Sequence, residues 1–461
     1  MEIKLVESTK NIECDVLIVN KFENEPTSNP LVDKFCPETF KGKKGEIFTI
    51  HTHGELPSRY VMAVGFGEEK KADDNVVREN IAKAIKECKK LKAKTVGISL
   101  KSEFGVPAII GAAITNYSFD KYKTKKDDKI STLYVCDIAE EFIQKTQLVV
   151  EAMELARNLS NEPAAYATPT KLADIAQHIK GIETKVYDED AIREMGMGAY
   201  LAVAKGSAEP PKFIHMKYVP QNPKKRIAII GKGLCFDSGG MDLKPSSSML
   251  TMRDDMSGAA CVLGIMSVIS KLHPENEIHG IIAACENMIG PKSYKPGDIL
   301  VAKNGKSIEV DNTDAEGRLT LADALCYACE LKVDEVIDIA TLTGACMVAL
   351  GTVASGIMGN NDEIVKSIIK TGQLCGEKFW ELPMWQEYRD NMDSNIADMK
   401  NTGTRYGGAS SAGMFLKEFV TDEVKWAHLD IAGTAFLESP QKEFCKGATG
   451  AGVRTLLSYI M

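Results

Sequence analysis

Short apolar runs alternate with helical stretches through the first third of this sequence, and this alternation constrains the fold more than any other feature. Each run has the length and composition of a buried strand, whereas Val76 to Leu91 has the character of a helix. The apolar runs are Val16 to Val19, Tyr60 to Val64, Thr95 to Leu100 and Thr132 to Val135. Strands that alternate with helices predict a central sheet covered by helices.

A helix that ends at a proline marks the predicted division of the chain near residue 150. The helix runs from about Gln147 to Leu159, Pro163 terminates the helical stretch, and Thr170 begins the next helix after Pro169. We therefore predict an α/β fold with two domains. The smaller N-terminal α/β domain covers 1–146, a linker helix and loop cover 147–169, and a larger α/β domain covers 170–461.

The composition indicates a globular protein of the cytoplasm. The formal net charge of −8 argues against nonspecific binding to nucleic acid or to an anionic membrane surface. The longest apolar run, Ala108 to Ile114, is far shorter than the ~20 residues of a membrane span. The start, Met1 to Leu5, lacks the apolar region of a signal peptide. The twelve cysteines are scattered as reduced cytosolic thiols are. We expect a cytoplasmic location and no membrane partner.

Two carboxylates and an arginine stand close together in the run Asn312 to Leu319. Asp314, Glu316 and Arg318 lie between a strand-like stretch and a helix-like stretch. Ligands and metals gather at the carboxyl ends of strands in α/β proteins. Asp314 and Glu316 could therefore bind a cation, with Arg318 beside them as a fixed positive group.

The same run fits a second interpretation, which is a helix cap. Thr313 and Glu316 have the spacing of a capping box, in which a hydroxyl and a carboxylate satisfy the free N–H groups of a helix start. Taken alone, the run favours the cap, because capping boxes are common and metal sites are not. A second acidic cluster upstream changes that balance.

The upstream cluster lies in a glycine-rich stretch that follows the strand-like run Arg226 to Ile230. Its charged residues include three acids and two lysines that could form a cation site: Lys232, Asp237, Lys244, Asp254 and Asp255. Glycine lets the backbone approach a ligand closely, and carboxylates crowded in a partly dry cleft need a cation or a lysine. A solvated loop with incidental charges explains this stretch equally well. Two such clusters, each after a strand, favour a shared cation site.

The run Asn312 to Leu319 resembles the signature octapeptide of the cytosolic leucine aminopeptidase family, which comprises two-metal, hexameric peptidases. The upstream cluster resembles the lysine-and-aspartate block of the same family. Further landmarks follow in family order: Asn158 to Pro163, Met195 to Gly198, Gly206 to Pro211, Ala340 to Ala345 and Trp426 to Gly433. The resemblance covers roughly the last two thirds of the chain. It implies that residues 170–461 form a catalytic metallopeptidase domain with a mixed, mostly parallel sheet flanked by helices.

The resemblance also implies a set of metal ligands. The five positions that match the ligands of the family are Lys232, Asp237, Asp255, Asp314 and Glu316. Asp237 and Glu316 are expected to bridge two divalent ions, with Lys232 and Asp255 completing one site and Asp314 the other. Asp254 is a rival to Asp255, but alignment to the following Met256 favours Asp255. Zn²⁺ or Mn²⁺ is favoured, and Co²⁺ or Mg²⁺ would suit the exchangeable site.

The remaining roles follow from the same resemblance. Lys244 matches the lysine that stabilises the oxyanion, and Arg318 matches the arginine that holds a bicarbonate proton shuttle. Met252, Thr341 and Gly344 match positions that line the pocket for the first side chain of the substrate. Two ions that share a bridging water can lower its pKa enough for attack near neutral pH.

We therefore expect an aminopeptidase that removes N-terminal residues, preferably leucine or another bulky apolar residue, from peptides. By family resemblance it is expected to form a homohexamer. A dipeptidase of narrow specificity, for example for cysteinylglycine, remains an alternative.

A non-catalytic DNA-binding regulator on the same fold is a further alternative. Its support is a lysine-rich helix with Lys83, Lys86, Lys89, Lys90, Lys92 and Lys94. Charge runs are usually solvated helix faces, so a nucleic-acid partner is disfavoured.

Overall fold

The computed structural model describes residues 1–9, 12–27 and 29–461. The chain divides into two compact units, one of Met1–Val150 with Glu438–Lys446 and one of Glu151–Leu437 with Gly447–Met461. The return of the segment Glu438–Lys446 to the first unit was not predicted from the sequence. The domain limits at residues 146 and 169 stay a prediction.

The first unit is built around a six-stranded sheet in the order β1-β6-β5-β2-β4-β3. All neighbouring strands are parallel except β3, which pairs antiparallel with β4. The strands are β1 (Glu2–Leu5), β2 (Val16–Phe22), β3 (Ile47–His51), β4 (Tyr60–Gly67), β5 (Thr95–Ser99) and β6 (Thr132–Val135). The helices are α1 (Pro30–Phe35), α2 (Asp74–Lys90) and α3 (Gly105–Asn116). Each of the four predicted apolar runs forms a strand of this sheet.

Helix α2 shows why the sequence forms this layer. The Asp73 side chain caps the helix by accepting a hydrogen bond of 2.8 Å from the Val76 amide. Val77, Ile81 and Ile85 recur at a spacing of four residues and are fully buried. The helix therefore presents an apolar face to the core of the first unit.

Some lysines on and just after α2 form ion pairs within the first unit. Lys90 lies 2.7 Å from Glu87, and Lys94, just beyond the helix, lies 2.8 Å from Asp128. Burial lowers the pKa of Lys89. These lysines behave as an ordinary helix face, and the expected absence of a nucleic-acid partner stays a prediction.

The second unit is built around an eight-stranded mixed sheet in the order β15-β14-β17-β13-β9-β10-β8-β7. Strands β17, β13, β9 and β10 form its parallel centre. The strands of this unit are β7 (Glu183–Tyr187), β8 (Lys212–Tyr218), β9 (Arg226–Asp237), β10 (Glu277–Asn287), β11 (Ile299–Val301), β12 (Ser307–Glu309), β13 (Glu335–Ala340), β14 (Ser355–Gly359), β15 (Phe379–Glu381), β16 (Met399–Lys400), β17 (Lys425–Asp430), β18 (Phe436–Leu437) and β19 (Gly447–Ala448). Two small sheets, β11-β12-β16 and β18-β19, accompany the large one.

Helices flank the large sheet and complete the predicted α/β arrangement. The helix α4 (Glu140–Asn161) crosses the division between the units and begins earlier than the predicted Gln147. The others are α5 (Pro169–Gln177), α6 (Glu189–Glu194), α7 (Gly198–Ala204), α8 (Ser246–Met249), α9 (Ser257–Leu272), α10 (Gly317–Glu330), α11 (Gly344–Leu350), α12 (Asp362–Cys375), α13 (Gln386–Asp390), α14 (Gly408–Lys417) and α15 (Val453–Ile460). Among the described residues, no helix has both the length and the apolar character needed to cross a bilayer.

Strand β9 corrects the sequence interpretation of the glycine-rich stretch. The strand was predicted to stop at Ile230, but it continues to Asp237, so Lys232 lies inside the strand rather than in a loop. The pairing with β10 extends to Asp237, with Lys232 opposite Ala283 and one register shift at Cys235. Position 231 requires glycine although it lies in a strand, because a Cβ atom there would lie 2.5 Å from the carbonyl oxygen of Gly258 in α9. The glycine therefore lets α9 pack directly on the strand.

Two buried histidines face each other on neighbouring strands of the large sheet. His215 Nε2 lies 2.8 Å from His279 Nδ1, and His279 Nε2 lies 2.9 Å from Glu277 Oε1. His215 Nδ1 lies 3.0 Å from the Tyr327 hydroxyl. Burial and the neighbouring His279 lower the pKa of His215 to about 4, and burial also lowers the pKa of His279. Both imidazoles are therefore neutral in the folded protein near pH 7.

We predict that His215→Phe weakens the acid sensitivity of the fold. The unfolded chain binds a proton at this histidine below its ordinary pKa of 6.5, whereas the folded chain does so only near pH 4. Stability is thus lost as the pH falls through that window, by up to about 3 kcal/mol for one such group. Thermal midpoints measured between about pH 7 and pH 5 should fall less steeply for His215→Phe than for the wild type. Parallel slopes would contradict the assignment.

Candidate metal centre

Three buried carboxylates meet at the carboxyl end of the parallel centre of the large sheet. Asp237 is the last residue of β9, Asp255 lies between a short 3₁₀ helix (Met252–Asp254) and α9, and Glu316 immediately precedes α10. One ligand oxygen from each of the three lies within 4.8 Å of the others. The two sequence clusters are therefore adjacent in space, as predicted.

Lys232 lies among these carboxylates. Its Nζ is 2.8 Å from Asp255 Oδ1 and 3.0 Å from Glu316 Oε1, and it donates a hydrogen bond of 3.0 Å to the Thr341 carbonyl. Burial lowers the pKa of Lys232, but the surrounding carboxylates outweigh burial and raise the pKa above its ordinary value. A Cβ atom at Gly317 would lie 2.4 Å from Lys232 Cε, so any other residue there would displace the lysine from its present position.

Lys244 joins Asp314 to the same cluster. Its Nζ lies 2.8 Å from Asp237 Oδ2 and 2.5 Å from Asp314 Oδ1. Burial opposes the charge on Lys244, but the adjacent carboxylates raise its pKa. Asp314 is more accessible than the other three carboxylates, with 34% of its side chain exposed. Burial and the nearby Asp237 raise its pKa.

The capping-box interpretation of Thr313 and Glu316 is wrong. Glu316 precedes α10 without any side-chain cap hydrogen bond. The Thr313 hydroxyl instead donates to the Gly239 carbonyl at 2.7 Å and accepts from the Asp242 amide at 2.9 Å. Asp242 Oδ2 in turn accepts from the Thr313 amide at 2.7 Å. Thr313 thus ties the two clusters together and leaves Glu316 free to face Lys232.

Asn287 supports the centre and was missed in the sequence. It ends β10 opposite Asp237, and its Nδ2 donates to Asp237 Oδ1 at 2.8 Å and to the Thr313 carbonyl at 3.0 Å. A polar residue just beyond the apolar run 280–285 was the available signal. The sequence does not show that Asn287 lies opposite Asp237, because that pairing is set by the register of the sheet.

The cluster contains more negative charge than its own cations can balance. Four carboxylates face the two ammonium groups of Lys232 and Lys244. Among the described residues, Asp255 Oδ2 and Glu316 Oε2 have no hydrogen-bond partner although they are buried. Burial raises the pKa of both carboxyls. Buried oxygens without partners and a donor set rich in carboxylates fit a divalent cation.

Arg318 lies in the first turn of α10, beside this cluster. Its Nη1 donates to the Asn401 carbonyl at 2.8 Å, and its guanidinium lies 6.0 Å from the centre of the Phe415 ring. Burial lowers the pKa of Arg318 to about 10, although Glu316 and Asp430 oppose that effect. The guanidinium is still a cation at neutral pH, and a small anion would compensate its burial.

The three predicted pocket residues have different relations to the cluster. Thr341 contacts it directly, since its hydroxyl donates to Asp255 Oδ1 at 2.8 Å. Met252 begins the 3₁₀ helix that leads to Asp255, and Gly344 begins α11. A Cβ atom at Gly344 would meet nothing within 4 Å, so this position faces open space. The pocket role of these residues stays a prediction.

Comparison with known proteins agrees with this geometry. The family model of the cytosol aminopeptidase catalytic domain matches residues 154–457, and the model of the N-terminal domain of the same family matches residues 20–126. This chain belongs to the cytosol aminopeptidase family. It is therefore a peptidase of the aminopeptidase type, and the predicted family and two-domain α/β fold are confirmed.

Several known proteins are similar to this chain over most of their length. The probable cytosol aminopeptidase of Aquifex aeolicus (strain VF5) is 48% identical over 92% of this chain and 89% of its own. That of Sulfurihydrogenibium sp. (strain YO3AOP1) is 44% identical over 99% and 94%. A mutant of tomato leucine aminopeptidase has a TM-score of 0.88 at 34% identity and covers 100% of this chain and 96% of its own. The bottromycin maturation enzyme BotP in complex with Mn has a TM-score of 0.89 at 29% identity, over 97% and 98%.

We predict that Asp255→Asn removes most of the stabilisation that a divalent ion gives to this aminopeptidase. An ion that binds only the folded state at a hundred times its dissociation constant stabilises by about 2.7 kcal/mol. The thermal midpoint of chelated protein, measured with and without added Mn²⁺, reports that gain.

Asp254→Asn is the matched control for this prediction. Asp254 is the adjacent buried acid, whose pKa burial raises to about 7, and it lies outside the group of three carboxylates. The control should retain the full gain in midpoint. Equal gains in both variants, or no gain in the wild type, would contradict the assignment.

Proposed function

We propose that this protein is a two-metal aminopeptidase that removes N-terminal residues, preferably leucine or another bulky apolar residue, from peptides. The observation that supports the proposal most strongly is the buried group Asp237, Asp255 and Glu316, whose oxygens lie within 4.8 Å of one another. Carboxylates at this density with unpartnered oxygens are suited to divalent ions. These carboxylates lie at the carboxyl ends of the parallel strands, where α/β enzymes bind their ligands.

Five side chains of this chain would hold the ions: Lys232, Asp237, Asp255, Asp314 and Glu316. By resemblance to the family, Asp237 and Glu316 would serve both ions, and each lies beside a lysine in the cluster. Lys232 would have to lose its proton to act as a ligand, so metal binding would release a proton. When bound, the ions supply Lewis-acid activation of water and of the scissile carbonyl. Zn²⁺ or Mn²⁺ is favoured, and the Mn-bound structure of BotP supports Mn²⁺.

Lys244 is proposed to stabilise the negative charge that develops on the carbonyl oxygen of the substrate. Its ammonium is held by Asp237 and Asp314 at the partly exposed side of the cluster. A charged donor fixed at the reacting oxygen lowers the barrier by ~3–4 kcal/mol. The raised pKa of Lys244 keeps the donor protonated at neutral pH.

Arg318 is proposed to hold a bicarbonate ion beside the cluster. The fixed guanidinium fork suits bidentate binding of a planar oxyanion, and burial excludes competing water. Bound bicarbonate supplies a base for proton transfer. Met252, Thr341 and Gly344 are proposed to line the pocket for the first side chain. A cytosolic location and a homohexamer complete the proposal by analogy with the family.

Metal-dependent hydrolysis of leucine p-nitroanilide tests the proposal. We predict that the wild type loses activity when it is treated with a chelator and regains it when Mn²⁺, Zn²⁺, Co²⁺ or Mg²⁺ is added back. The cation that restores the highest rate would be the one that serves the exchangeable site. Loss of a group that only supports a metal ligand typically lowers activity by ~10–100-fold. Asp314→Asn alters a proposed ligand itself, so its activity should fall by more than that. Activity unaffected by the chelator and by this variant would contradict the two-metal centre. Faster hydrolysis of cysteinylglycine than of leucyl substrates would favour the dipeptidase alternative.

A separate prediction concerns bicarbonate. Added bicarbonate should raise the rate of the bicarbonate-depleted wild type and leave Arg318→Ala unaffected, because that variant lacks the cation that binds the anion. Arg318→Lys is the matched control: it keeps the charge but loses the bidentate fork, so it should respond only at higher bicarbonate concentration. Equal stimulation of the wild type and Arg318→Ala would exclude Arg318 as the binding group.

A further inference from the structure

We propose that Asp430 is a positioning residue that holds the loop 341–344 against the metal centre and thereby sets the selectivity for the first residue of the substrate. The inference rests on the proposed function, since it concerns the pocket of the same site. Within the part of the chain that the structure describes, Asp430 makes no hydrogen bond or ion pair with the carboxylate cluster or its lysines. It acts through the loop.

The two carboxylate oxygens of Asp430 accept hydrogen bonds from the loop 341–344 and from the segment that follows β17. Asp430 ends β17 and is fully buried. Its Oδ1 accepts from the Leu342 amide at 3.2 Å and from the Ala432 amide at 3.1 Å, and its Oδ2 accepts from the Thr343 hydroxyl at 2.7 Å. One carboxylate thus fixes two successive residues of the loop and the chain that follows β17.

The other end of the loop is bound to the metal centre. The Thr341 carbonyl accepts from Lys232 Nζ at 3.0 Å, and the Thr341 hydroxyl donates to Asp255 at 2.8 Å. Thr343 Oγ1 also accepts from the Cys346 amide at 2.9 Å and so caps α11, which begins at Gly344. A continuous set of hydrogen bonds therefore connects Asp430 with two proposed metal ligands through the loop.

Core packing holds Leu342, which is half-buried against the hydrophobic core, but not the helix that follows the loop. In α11 only Cys346 is buried, and Val348 is 89% exposed. The position of Gly344 consequently depends on the polar contacts of Thr343 and Leu342 with Asp430. Selectivity for a side chain requires its pocket wall to be held to within ~0.5 Å, which makes this carboxylate a specificity determinant.

Asp430→Asn and Thr343→Val test the inference by removing the strongest of these contacts. We expect kcat/KM for leucine p-nitroanilide relative to alanine p-nitroanilide to fall about tenfold in both variants, mainly through KM, because discrimination by an apolar pocket depends on its fit. Thr343→Ser keeps the hydroxyl and should restore the ratio. Bound metal, measured in the same samples, should not change.

Asp338→Asn is the matched control. Asp338 is an equally buried carboxylate on the adjacent strand β13. Its hydrogen-bond partners are the Trp426 and His428 side chains rather than the loop. An unchanged ratio in active Asp430→Asn and Thr343→Val, or an equal fall in Asp338→Asn, would overturn the positioning role. A wild type inactive on every aminoacyl substrate would instead overturn the proposed function, and the inference with it.

Discussion

The burial of a lysine among carboxylates is the interaction on which the rest of this structure depends. Lys232 lies within 3.0 Å of both Asp255 and Glu316, in the middle of a strand that is buried along most of its length. Removal of charges from water is costly unless they are compensated, and the two lysines of the cluster cannot balance four carboxylates. The excess of acceptor oxygens turns this structural ion pair into a site that favours a divalent cation.

The parallel centre of the large sheet provides this arrangement. Neighbouring parallel strands end at the same edge, so Asp237, Asn287 and the loop after β13 come together from residues far apart in the sequence. Glycines permit the close approach: a Cβ atom at Gly258 would lie 2.0 Å from the Ile339 carbonyl. The fold therefore brings the proposed ligands together at this edge of the sheet.

The sequence predicted four of the six strands of the first unit and the proximity of the two acidic clusters, because apolar runs and clustered charges are local signals. It did not predict that Lys232 lies within a strand, since glycines resemble loop residues until the packing of α9 is known. Thr313 was open to a capping role because its partner Asp242 is distant in sequence. Asn287 and Asp430 could not be identified, because their roles arise from strand register and long-range hydrogen bonds.

Anomalous diffraction from crystals of the Mn²⁺-loaded protein would test the central claim most directly. The account predicts two anomalous peaks about 3.5–4 Å apart, both in contact with Asp237 and Glu316 and one also in contact with Lys232 Nζ. A single peak outside this cluster, or an unchanged Lys232 ion pair in protein that contains bound metal, would contradict the assignment of these residues as the metal centre.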